Sequence, residues 1–128
     1  MASIDSIKKS IENDCSKAVS STINELKSKL VGFVASEFYS QYFPFVYVRT
    51  YQLLNEAPQC AMNSSLEGRV FMEGGGLQYN GISGDSVIGM SAGGIHGNAS
   101  IQTPGRYWES FINFCDSEAV NMLIKHLK

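Results

Sequence analysis

Phe38-Tyr39-Ser40-Gln41-Tyr42-Phe43-Pro44-Phe45-Val46-Tyr47-Val48-Arg49-Thr50-Tyr51-Gln52-Leu53-Leu54 is the stretch on which the fold turns. It gathers seven aromatic residues and one proline between a long helical pattern upstream and a weaker β pattern downstream. Pro44 lacks an amide hydrogen and pushes Phe43 toward extended backbone, so a helix arriving from the N-terminal side is expected to end there. Residues 45–48 then read as a short strand or extended connector, and residues 50–55 as one or two helical turns capped by Thr50.

Upstream, Ile4, Ile7, Ile11, Cys15, Ala18, Val19, Ile23, Leu26, Leu30, Phe33 and Val34 recur at steps of three and four. That spacing lays one apolar stripe along an α-helix, with Lys8, Lys9, Glu12, Lys17, Glu25 and Lys29 on the solvated side. Ser3 suits the N-cap, and Asp5 suits the positive end of the helix dipole. An unbroken helix from Ile4 to Tyr39 would be about 54 Å long. That exceeds the width of so small a domain, so the helix is expected to bend near Gly32 or to project.

Downstream, Pro58 marks a boundary, and residues 59–62 and 67–72 are strand candidates, the second strengthened by Arg69-Val70-Phe71-Met72. Residues 77–79 and 86–90 are weaker strand candidates, set off by the Asn80-Gly81 and Ser83-Gly84 turn signals. Ten of the twelve glycines fall between Glu73 and Gly105, a density that points to a long loop ordering against a partner. Beyond Pro104-Gly105, Tyr107, Trp108, Phe111, Ile112 and Phe114 define an aromatic helix. Ala119, Val120, Leu123, Ile124 and Leu127 either continue it or restart it after a cap at Asp116 or Ser117. The expectation is a single α+β domain over residues 1–128. In it, a long N-terminal helix and a C-terminal helix pack on a small, mainly antiparallel sheet, with a long Gly-rich loop.

Composition narrows the function. A chain of 128 residues forms one domain able to bury roughly two-thirds of its unfolded surface. The net charge is −2 and the bases form no patch, which argues against specific nucleic-acid binding through phosphates. Cys15, Cys60 and Cys115 are odd in number and widely spaced, so three reduced thiols are expected rather than a disulfide framework or a zinc site. No stretch approaches the roughly 20 apolar residues of a membrane span, and the first residues lack a signal-peptide core. Synthesis in the cytoplasm follows as the expectation, without membrane attachment and without a cofactor.

Gly89-Met90-Ser91-Ala92-Gly93 matches the G-x-S-x-G of a nucleophile elbow, behind the strand-like Val87-Ile88. Three features oppose a hydrolase: no helical pattern follows, Asp116 comes after His96 rather than before it, and alternating βα units are missing. No catalytic residue is therefore assigned. His96 and His126 have no second metal ligand nearby in sequence; His96 reads as a loop hydrogen-bonding residue and His126 as a helix-end cation. Gly74-Gly75-Gly76 lacks the Lys-Ser/Thr of a phosphate cradle, and the aromatic cluster lacks the interleaved bases of a nucleic-acid platform.

The string from Tyr42 to Leu54, with aromatic, Pro, Tyr, Arg-Thr and a Leu pair at a helix–sheet junction, resembles the tail-completion or minor tail-component proteins of long-tailed bacteriophages. His96-Gly97, Pro104, Tyr107-Trp108 and Phe111-Ile112 add to the resemblance, which covers most of the chain in order. It implies a structural virion protein, made in the bacterial host cytoplasm and placed at the virion neck or tail. It also implies a homo-oligomeric ring, of which a hexamer is one form, joined to head-closure or connector proteins and to tail-tube or tail-terminator proteins. Tyr39, Tyr42, Phe43, Phe45, Tyr47, Arg49 and His96 are the expected interface residues, Arg49 as a guanidinium bridging a carboxylate on the helix or a neighbouring subunit. A small non-catalytic protein- or ligand-binding module is the alternative, and a Ser-dependent esterase comes third.

Overall fold

The computed structural model describes residues 3–41, 52–75, 77, 82–96 and 102–128. Helix α1 (Ile4–Glu37) opens on Ser3, whose Oγ accepts the Ser6 amide at 3.1 Å, with Asp5 in the first turn. It continues through Gly32 as one helix of 34 residues, about 51 Å long. Its N-terminal part projects, one of the two expected outcomes, with Ile4, Ile7 and Ile11 exposed.

α1 ends at Glu37, well before Pro44. Phe38 donates its amide to the Val34 carbonyl, and a single 3₁₀ turn (Tyr39–Gln41) follows. Ser40 Oγ and the Gln41 side-chain amide both donate to the Ser36 carbonyl, so side chains satisfy the acceptor that a further turn would have used. Local capping stops the helix before the proline can. The expected strand at residues 45–48 and the Thr50 cap lie outside the described residues; the helical turn is α2 (Gln52–Asn55).

Strands β1 (Pro58–Met62) and β2 (Gly68–Met72) form an antiparallel hairpin pairing Pro58 with Met72 and Cys60 with Val70. Asn63 and Ser64 close its turn by donating their amides to the Glu67 carbonyl at 2.8 and 3.2 Å. The hairpin lies along α1. Cys60 Sγ donates to Asn24 Oδ1 at 3.5 Å, and Ser65 Oγ donates to Glu12 Oε1 at 2.8 Å. Gly68 permits the close approach, since a Cβ there would stand 2.8 Å from Ile23 Cγ2.

Residues 86–90, expected as a strand, belong instead to helix α3 (Gly84–Ala92). Ser83 caps it by accepting the Ser86 amide at 3.2 Å, and Asp85 sits in its first turn. These local signals outweigh the glycines around them, so the Gly-rich segment carries an ordered helix rather than loop alone. Leu77 is in no strand, and Gln78 and Tyr79 lie outside the described residues. Gly94, at φ +81°, turns the chain after α3, and an isolated antiparallel bridge joins Ile95 to Gln102.

Helix α4 (Tyr107–Leu127) is continuous, with no restart at Asp116 or Ser117. It packs antiparallel to α1: Phe33 meets Phe114 edge-on at 5.9 Å, and Glu25 meets His126 at 2.7 Å. Leu26, Leu30, Val34, Leu53, Ala57, Leu77, Tyr107, Phe111 and Met122 form one buried cluster between these elements. The architecture is α+β, two long helices beside a small antiparallel sheet.

Candidate assembly surface

α4 stops where His126 meets Glu25, so α1 runs on past it toward its own N-terminus. In the covered half the stripe is sealed, with Leu30 and Val34 at 0% exposure. In the overhang the same stripe is open: Ile4, Ile7 and Ile11 are 72%, 50% and 58% exposed. Cys15, at the border, is half-buried. Leu66, at the hairpin tip beside Glu12, is also exposed. α4 carries a second open stripe, Val120, Ile124 and Leu127 at helical spacing, facing away from its core residues Phe111 and Met122. Two contiguous apolar faces on one small chain are more than the scattered exposed residues that need no explanation.

Of the expected interface residues, Tyr42, Phe43, Phe45, Tyr47 and Arg49 lie outside the described residues. Tyr39 is half-buried, its ring edge-on to Phe38 at 5.4 Å. His96, expected at an interface, is inside the protomer at 5% exposure. Its ring stacks on Phe38 at 4.2 Å, and its Nε2 bonds with Thr103 Oγ1 at 2.8 Å, in keeping with a loop hydrogen-bonding role. The chain turn around Gly94 and the bridge to Gln102 fold His96 back onto the end of α1, a return that adjacent sequence does not reveal.

Ser91 sits at the C-terminal end of α3, not at a strand-to-helix turn. It is 2% exposed, donates to the Ile88 carbonyl at 3.0 Å and bonds with the Tyr107 hydroxyl at 2.7 Å. A buried hydroxyl at the negative end of a helix is the reverse of the exposed elbow that acyl transfer needs. Burial raises the Tyr107 hydroxyl pKa above its ordinary value, against a smaller lowering by Ser91. The pair works as a buried polar clamp between α3 and α4.

His126 has a partner that sequence proximity could not supply. Its hydrogen bond holds the Glu25 carboxyl below the ordinary carboxylate range, assisted by the charges of Lys125 and Lys29 against some desolvation. Cys115 is pushed upward by burial and by Asp116, which opposes thiolate formation. Among the described residues, all three cysteines are free and no group of three His, Cys, Asp or Glu side chains is placed to hold a metal ion. Among them, too, no helix is long and apolar enough to cross a membrane.

The stripe itself was visible in the sequence; its exposed half was not. The signal available was the length of the N-terminal pattern, too great for so small a domain, which pointed to a bend or a projecting part without saying which end. Compared with known protein families, curated proteins and solved structures, the chain matches none.

Proposed function

We propose that this chain is a structural virion protein of a phage or prophage that assembles at the head–tail junction or tail terminus, as a ring joining connector to tail tube. The observation that carries the reading is the overhang of α1, which leaves Ile4, Ile7 and Ile11 exposed on the very stripe that forms the core farther along. A monomer gains nothing from keeping such a face wet; a subunit gains an interface whose core is already apolar and helical. The open stripe on α4 is a second exposed apolar patch on the same subunit. The aromatic and Arg-Thr string that resembles tail-completion proteins gives the reading its virion context.

The test is genetic and morphological. Deleting the gene from its phage should give lysates with unjoined heads and tails under electron microscopy, restored by the gene in trans. Intact particles in normal numbers from the deletion would refute the joining role.

A further inference from the structure

The exposed half of α1 bears on what the protein does before it meets any partner. We propose that a second copy of this chain seals it: two α1 overhangs pair antiparallel about a two-fold axis, with Ser10 of one copy level with Ser10 of the other. The inference goes beyond the virion role and needs only that the free chain associates with itself.

In that register the apolar side chains interleave. Ile4, Ile7, Ile11 and Cys15 of one helix alternate along the seam with the same residues of the second copy, so each exposed isoleucine gains apolar neighbours. Charge selects the register. On a helix of 3.6 residues per turn, Lys8 and Glu12 flank the stripe on the same side. A two-fold axis crossing the seam sets like flank against like flank, which brings Lys8 level with Glu12 of the second copy, twice. Glu12 is already oriented for this: Ser65 donates to its Oε1 at 2.8 Å, which leaves the other oxygen for a lysine.

Space is available as well. The second copy's first helical turn reaches about as far as Lys17, short of Ala18, Thr22 and Ile23, which are buried within the protomer, so the incoming helix covers only the open part of the stripe. The other occupant with matching spacing, the Val120-Ile124-Leu127 stripe of a neighbouring α4, brings Asp14 against Asp116 and is disfavoured by charge. Because the contact joins identical patches, it closes at two copies and cannot by itself build a ring. It is the resting form of the free protein, which holds the overhang dry until assembly.

The experiment measures mass in solution by light scattering on three purified chains: wild type, Lys8→Glu and Glu12→Lys. Wild type is expected as a dimer. Each variant places like charges across the seam and should weaken dimerisation about tenfold or more. Mixing the two variants should restore dimers, since every crossing pair is then of opposite sign. Mixing leaves each chain's own Lys8–Glu12 spacing unrepaired, so recovery reports the contact between chains. Ile7→Asp, at an exposed position, should give a folded monomer by circular dichroism. A monomeric wild type, an oligomer indifferent to Ile7→Asp, or a mixture no better than its components would each overturn the pairing. None of these outcomes bears on the deletion phenotype, so failure here is distinct from failure of the virion role.

Discussion

The carboxylate of Glu37, in the last turn of α1, caps the first turn of α4: its Oε2 accepts the Arg106 amide at 3.2 Å and the Ser110 hydroxyl at 2.8 Å. α4 has no side-chain cap of its own at Arg106, so this contact satisfies a donor that would otherwise be unpaired at the helix start. Gly105 fits flat against the same turn, where a Cβ would fall 1.8 Å from the Glu37 carbonyl oxygen.

Glu37→Ala should therefore destabilise the fold by about 1–2 kcal/mol, the range of a lost helix cap. Urea denaturation followed by circular dichroism checks this. Glu37→Gln, which keeps an acceptor but drops the charge at a helix N-terminus, should fall between wild type and alanine. Gly105→Ala should cost more than Glu37→Ala, because the clash is with backbone.

The two halves of the α1 stripe should respond differently to the same truncation. Leu30→Ala removes a side chain of 0% exposure and should cost about 2–5 kcal/mol. Ile7→Ala removes one that is half exposed and should leave the stability of the protomer within about 0.5 kcal/mol. Equal costs, measured at low protein concentration, would mean that the overhang is covered within the protomer.

Acid should loosen the end of α4. The Glu25 carboxyl is held below its ordinary value of 4.5, first by the His126 hydrogen bond. A depressed acid contributes stability that is fully present above the unfolded value and is lost as pH falls through the folded one. The loss should appear below pH 4.5 as faster amide exchange in the last turns of α4, corrected for intrinsic rates. Glu25→Gln should flatten that component of the profile; an unchanged profile would remove Glu25 from the account.

Ser91 and Tyr107 should behave as one unit. Ser91→Ala leaves a buried tyrosine hydroxyl short of its best partner and should cost about 1–3 kcal/mol. Tyr107→Phe in the Ser91→Ala background should cost less than in wild type, a coupling that a double-mutant cycle reads directly. A fluorophosphonate probe should leave Ser91 unlabelled in the folded protein, since the side chain is buried. Stoichiometric labelling would restore the esterase reading.

What the sequence determined by itself was what local energy decides. Ser3 and Asp5 start α1, residues 59–62 and 67–72 favour strands, and the apolar spacing after Tyr107 favours helix. Each follows from caps, spacing and propensity within a few residues. The pairing of the strands and the unbroken run to Leu127 came from the structure. Where local signals conflict, composition misleads: Ser83 and Asp85 start α3 inside a glycine-rich segment whose composition argues for loop. Only the tertiary structure decided which part of the Ile4–Val34 stripe is buried, because burial depends on how far α4, the hairpin and the rest of the chain reach along α1. It likewise brought Glu37 to Arg106, His126 to Glu25, and Ser91 to a buried tyrosine. Helical spacing sets the face on which a side chain stands; whether that face is dry depends on chain segments remote in sequence, and no local pattern carries that information.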